Sequence, residues 1–119
     1  MDTKIKIGKF GQDLSAEFLQ KRGCQIIDHN FYTRLGEIDL IARDKNQLVF
    51  VEVKTRLGHN FGLPEEALNS DKAKKMKEAA SEYLMQNNIN SDNYRFDLIA
   101  VEINKRDKKA QIRHYKNVI

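Results

Sequence analysis

The run Leu48–Val53, LVFVEV, is apolar on both of the faces a β-strand presents, yet it has one carboxylate, Glu52, set into it. Side chains alternate across a strand, so Leu48 and Phe50 point one way and Val49, Val51 and Val53 the other. Such a strand has to be covered on both sides, which puts it in the interior of a sheet with other layers packed above and below. Glu52 then shares a face with Phe50, where a carboxylate without a specific partner is costly.

The preceding run, Gly36–Arg43, GEIDLIAR, reads as a second strand. Alternation puts Ile38, Leu40 and Ala42 on one face and Glu37, Asp39 and Ile41 on the other. A two-residue turn at Lys45–Asn46 sets Asp44 opposite Gln47, and counting outward sets Asp39 opposite Glu52 and Glu37 opposite Lys54. A four-residue loop over 44–47 keeps this pairing, whereas an odd loop without a bulge would strand Asp39 on the apolar side. The apolar pattern thus selects the register that gathers all four charges.

Directly opposed carboxylates destabilise a sheet. At an effective dielectric near 20, two charges about 4 Å apart repel by about 4 kcal/mol. A divalent cation reverses the sign, because Mg²⁺ and Mn²⁺ take a few anionic oxygens and keep several waters. The Lys54 ammonium offsets further charge and is placed to meet a phosphate. The competing reading makes Glu52 and Lys54 paired charges on a solvated edge, with Glu37 completing a cross-strand salt bridge of little energetic weight. The core-like character of LVFVEV weighs against it.

The rest of the chain supplies the covering layers. Phe10, Leu14, Phe18 and Leu19 form a helical stripe between about Lys9 and Arg22, closed by Gly23. A short strand follows at Cys24–Asp28. Beyond the third strand, RLGHNFGL (56–63) reads as a loop and Pro64 as the start of a short helical turn, PEEAL. Ser70 caps a helix to about Asn87 with Ala73, Met76, Ala79, Ala80, Tyr83 and Leu84 on its buried stripe. Strands are expected at Tyr94–Ile103 and, at an edge, Ala110–Lys116. Three closely linked strands form an antiparallel meander, and the helical crossover to the fourth requires a parallel pair. The expectation is one domain over 1–119, of α/β class, with a mixed sheet and helices packed on it.

Composition narrows the setting. Apolar residues make up 40% of the 119 and charged residues 32%, with no run apolar enough to span a membrane. The N-terminus lacks the pattern of a secretion signal, and a single cysteine, Cys24, suits a reducing compartment, so a cytoplasmic protein is expected. A net charge of +4 and a pI near 9.2 lean toward a polyanionic partner. His29, His59 and His114 show no metal-ligand spacing and read as surface or loop residues.

Asp39 followed by Glu52-Val53-Lys54 resembles the D…(D/E)xK signature of the restriction-endonuclease-like, PD-(D/E)xK, superfamily. The fuller string resembles the YraN-like family of small bacterial proteins, predicted endonucleases related to archaeal Holliday junction resolvases. The likeness covers most of the chain: Gly8-x-x-Gly11, Asn30, GEIDLIA, FVEVKTR, the helix opening near Lys72, RFDLIAV from Arg95 and the C-terminal IRHYKN. It implies a restriction-endonuclease-like core, αβββαβ. It also implies a site in which Asp39 and Glu52, helped by the Val53 carbonyl, hold Mg²⁺ or Mn²⁺. Lys54 would orient or activate the attacking water and steady charge on phosphorus, and Glu37 would be a ligand, an outer acceptor or the partner of Lys54. One departure stands out. Relatives usually carry Glu after the second N-terminal glycine, where this chain has Gln12, and neither Asp13 nor Glu17 is a clean substitute. A weaker metal site follows, or a protein that holds nucleic acid without cutting it.

Arg34 and Arg56, flanking the two site strands, and Lys72 and Lys75, at the start of the second helix, are the candidate phosphate contacts; a solvated face is the plainer reading of the lysines. Phosphate contacts carry affinity without sequence information, and no recognition helix or zinc finger is present. The expected partner is structured or branched DNA, bound without sequence preference, with Tyr32 and Phe61 as candidate stacking side chains. Junction-cutting relatives act as dimers, so a homodimer is a further expectation, although no apolar stripe marks a dimer face. The non-enzymatic alternative is a structural or interaction domain whose charges are ordinary salt bridges.

Overall fold

The computed structural model describes residues 3–58 and 68–119. Helix α1 spans Thr3–Lys21, beginning well before the expected start at Lys9. Its buried face is Gly11, Ser15, Ala16 and Leu19, a stripe of mostly small residues at helical spacing. Phe10, expected on that stripe, is 48% exposed. The reason is close approach: a Cβ on Gly11 would overlap the Thr55 side chain on the sheet, so the helix contacts the sheet through its smallest residues and turns Phe10 outward. Gly23, at φ 91°, provides the left-handed stop.

Strand β1 (Gln25–Tyr32) runs past its expected end at Asp28. It does so through a register shift between Ile26 and Asp28 and through Asn30 at φ 50°, a left-handed conformation that asparagine tolerates better than most residues. Strands β2 (Glu37–Asp44) and β3 (Gln47–Leu57) form the hairpin expected, turning at Lys45 (φ 59°) and Asn46 with Asp44 opposite Gln47. Strand β3 extends beyond Lys54 to take in Arg56 and Leu57. The remainder of the expected loop, including His59 and Phe61, and the PEEA of the expected turn lie outside the described residues.

Helix α2 covers Ser70–Gln86. Its cap is Asn69 rather than Ser70: the Asn69 side chain accepts from the Lys72 amide at 2.9 Å, satisfying one of the free N–H groups of the first turn. Strands β4 (Tyr94–Asn104) and β5 (Lys109–Tyr115) complete a five-stranded sheet in the order β1-β2-β3-β4-β5. Every pair is antiparallel except β3–β4, which is parallel, as the crossover through α2 requires.

The result is an α/β fold with a mixed sheet between two helices, compatible with a restriction-endonuclease-like core. On one face Ile38, Ile41, Leu48 and Phe50 pack against Met76, Ala79, Ala80 and Tyr83 of α2. On the other, Leu40, Ala42, Val49, Val51, Ile99 and Val101 pack beneath Ala16 and Leu19 of α1. Central β3 is therefore covered on both sides, as LVFVEV demands. No helix among the described residues is long and apolar enough to cross a membrane.

Candidate functional site

The two core layers reveal a break in β2. Ile38 and Ile41 lie on the α2 side while Leu40 and Ala42 lie on the α1 side, which strict alternation forbids. The expected shared face of Ile38, Leu40 and Ala42 is thus corrected: the pleat changes phase at Asp39. The neighbouring ladders skip the same residue. Pairing with β1 passes from His29↔Leu40 to Phe31↔Ile38, leaving out left-handed Asn30. Pairing with β3 ends at Leu40↔Val51, so the expected ladder pairs of Asp39 with Glu52 and of Glu37 with Lys54 do not form, although the register leading up to them is the expected one.

What replaces the ladder is the Asp39 side chain. Its Oδ2 accepts from the Val53 amide at 2.7 Å, taking over a donor that the separating strand would otherwise have paired. Its Oδ1 accepts from Gln12 Nε2 of α1 at 3.3 Å. Asp39 is 6% and Glu52 8% exposed. Lys72 of α2 places its ammonium 3.3 Å from Glu52 Oε2, a long ion-pair contact, and among the described residues that buried oxygen has no other polar partner.

Both acids open onto a groove of about 600 Å³ walled by Glu37, Lys54, Thr55 and Arg56 on the sheet side and by Gln12, Gly8 and Ile7 on α1. Burial, then the Asp39 carboxylate, pushes the Glu52 carboxyl up to about 7, with Lys72 opposing and Glu37 adding to the shift. Burial likewise raises Asp39, opposed by the Val53 amide and reinforced by Glu37, while Lys72 and Lys54 pull the other way.

Asp39, Glu52, Val53, Lys54, Glu37, Gln12 and Arg56 therefore line one groove. Lys72 is not among the lining residues; it meets the site through its ion pair with Glu52. Arg34 is exposed on the β1–β2 connection and Lys75 is exposed on α2, its backbone and Cβ abutting Gly36; neither lines the groove. Asp13 and Glu17 are engaged on the surface of α1 by Lys9 and Lys21. Tyr32 is 69% exposed and Leu35 55%, both beside the turn leading into β2.

The donor set suits a hard divalent cation. Asp39 and Glu52 supply buried carboxylate oxygens, and Val53 and Gln12, which carry further oxygen donors, line the same groove. Mg²⁺ commonly binds through one or two carboxylates, with water and phosphate completing the shell. Among the described residues no three or more His, Cys, Asp or Glu side chains converge as a metal cluster, so Glu37 acts as a third charge at the wall of a two-carboxylate site.

Two features escaped the sequence reading. Thr55 is half-buried against Gly11, with its buried hydroxyl oxygen unpartnered among the described residues; the Gly8-x-x-Gly11 spacing was the available signal. His114, read as a surface residue, is half-buried on β5 with Nε2 2.8 Å from Asp97 Oδ2. Arg95 and Asp97, two residues apart in the apolar RFDLIAV, were the visible hint of that second charged cluster.

The model of a family described as "Uncharacterised protein family UPF0102" matches residues 11–101. A UPF0102 protein of Caldanaerobacter subterraneus subsp. tengcongensis is 46% identical over 102 residues, covering 86% of this chain and 84% of its own. One from Alkaliphilus oremlandii is 44% identical over 114 residues (94% and 96%), and one from Syntrophotalea carbinolica 38% over 112 (94% and 89%).

Proposed function

This chain belongs to the UPF0102 family, and we propose that it is a metal-dependent endonuclease that hydrolyses phosphodiesters in structured or branched DNA. The observation that carries this reading is the pair of buried carboxylates, Asp39 and Glu52, facing an open groove with Lys54 alongside and the Lys72 ammonium 3.3 Å from Glu52. Two buried acids with one close ammonium keep negative charge at the groove that a cation would offset.

Asp39 and Glu52 would hold Mg²⁺ or Mn²⁺, with the Val53 carbonyl next to them. When bound, such an ion supplies charge neutralisation for a phosphoryl oxygen and acidifies water. The protein's own part is positional. The Val53 amide and Gln12 fix the two Asp39 oxygens, which orients the carboxylate before any ligand arrives. Lys54, on the strand face of Glu52, brings a positive charge to the groove where negative charge develops on phosphorus in an in-line displacement. Arg56, and Arg34 and Lys75 farther out, supply phosphate contacts that track the backbone without reading bases. Exposed Tyr32 offers a stacking surface for an unpaired base.

The test is incubation with four-way junctions, flaps and single strands in the presence of Mn²⁺ or Mg²⁺. Cleavage of branched substrates is expected, falling by at least about a hundredfold, the scale of one lost electrostatic contact in a transition state, in Asp39→Ala and Lys54→Ala. Variants that cut as well as the wild type would refute the assignment.

Gln12 favours a second reading. It places an amide N–H on Asp39 where relatives by resemblance usually carry a carboxylate, which lowers the negative charge of the site. A non-catalytic nucleic-acid-binding protein on the same fold would bind these substrates with steep salt dependence and cut none of them with any divalent ion.

A further inference from the structure

We propose that Lys72 is a built-in placeholder cation at the acid pair, released when a nucleic-acid phosphate takes its ammonium, so that the polyanion and the divalent ion bind with positive coupling. This rests on the reading of Asp39 and Glu52 as an ion site.

The geometry sets Lys72 apart from its lysine-rich neighbours. The Asn69 cap fixes its backbone in the first turn of α2, and its ammonium reaches down to 3.3 Å from Glu52 Oε2. The lysine side chain is 30% exposed while that of Glu52 is 10% exposed. One partner is therefore anchored in the core and the other has a solvent-side escape. At 3.3 Å the contact is longer than a strong charge-assisted hydrogen bond, and among the described residues it is the polar contact of Oε2. A single ammonium at this distance, on a flexible and partly exposed stem, is the weaker competitor for a carboxylate against a divalent ion.

The two cations exclude each other. An ion held by Asp39 and Glu52 shares an oxygen's surroundings with Nζ, and like charges at such range repel. Lys72 must then move outward through its exposed side, and it carries its charge toward solvent, where a phosphate of bound nucleic acid would meet it. Each event favours the other: the ion expels the ammonium, and the phosphate that captures the ammonium vacates Glu52. Coupling of this kind is reciprocal by thermodynamic necessity.

The test uses full-length wild-type protein, Lys72→Met and Lys72→Arg, with free Mn²⁺ followed by electron paramagnetic resonance. Each is titrated alone and with a saturating non-hydrolysable single-stranded phosphorothioate oligonucleotide, the oligonucleotide alone serving as blank. Alone, Lys72→Met is expected to bind Mn²⁺ roughly fivefold or more tighter than the wild type, the lower end of ordinary coupling between sites, and Lys72→Arg as weakly as the wild type. The oligonucleotide is expected to tighten Mn²⁺ binding in the wild type and to do so less in Lys72→Met. Wild-type binding with Lys72→Met no tighter, or an equal oligonucleotide effect in both, overturns the placeholder role alone. Failure of all three proteins to bind Mn²⁺ at the acid pair overturns the underlying ion-site reading as well.

Discussion

Two clusters of buried acids sit on this sheet, and they are built in opposite ways. Asp97 on β4 is fully buried and richly supplied: Arg95 Nε donates to both oxygens at 3.0 and 3.2 Å, the Asn117 amide to Oδ1 at 2.9 Å, and His114 Nε2 lies 2.8 Å from Oδ2. Arg95 continues to Asp44 and Gln47, tying the β2–β3 turn to β4. Burial alone would raise the Asp97 carboxyl, but His114, Arg95 and the Asn117 amide outweigh it and hold it below the usual range. Glu52 is nearly as buried, keeps an oxygen without a hydrogen bond, and is pushed up to about 7. Burial of an acid does not itself mark function. The supply of donors separates the two: Asp97 has a donor on each oxygen, whereas Glu52 Oε2 meets only the Lys72 ammonium at 3.3 Å among the described residues.

Breaking Asp97 gives the largest effect. Asp97→Ala leaves the half-buried Arg95 guanidinium with only Asp44 and Gln47 and strands the donors around a buried acid, and is expected to lower stability by about 2–4 kcal/mol, read as the midpoint of urea unfolding. Glu52→Gln at pH 8 without metal is expected to leave stability unchanged or raise it. Equal losses from the two substitutions would erase the contrast.

Next comes pH. The folded-state value of Glu52 lies above its unfolded value of about 4.5, so the folded protein binds the extra proton between those limits. Stability of the metal-free protein should therefore fall as pH rises from about 4.5 to about 7, by up to about 3 kcal/mol. Glu52→Gln flattens this limb. Asp97 acts with the opposite sign and in a lower window: its folded value lies below 3.8, so its stabilisation is present above that pH and is lost as pH falls. Thermal unfolding across pH 3 to 9 separates the two limbs.

Smaller still is the effect of crowding the groove wall. Gly11→Ala drives a Cβ into Thr55 and is expected to destabilise by about 1–3 kcal/mol. Thr55→Ala in the same chain should recover part of that loss, measured as a double-mutant cycle. Full additivity would mean the helix relaxes away from the sheet without strain.

Much of this arrangement was legible in the sequence. LVFVEV required a doubly covered central strand, the apolar pattern selected the hairpin register seen from Asp44↔Gln47 to Leu40↔Val51, and the helical connection required the parallel β3–β4 pair. What alternation could not reveal is the phase change at Asp39. It depends on a left-handed Asn30 in the neighbouring strand and on the carboxylate substituting for a backbone partner, both tertiary events. The buried face of α1 was misjudged at Phe10 for a related reason: periodicity scores size and hydrophobicity, while close packing on Thr55 selects Gly11 and Ser15. His114 looked ordinary because its partner, Asp97, is brought to it only by the β4–β5 pairing Ile99↔His114.

The central claim is that Asp39 and Glu52 form a divalent-cation site. Anomalous diffraction from crystals of the protein soaked in Mn²⁺ tests it most directly. The account predicts a manganese peak within coordination distance of oxygens from both Asp39 and Glu52, with the Lys72 ammonium displaced from Glu52. Well-ordered acids with no peak between them, and Lys72 still paired, would contradict it.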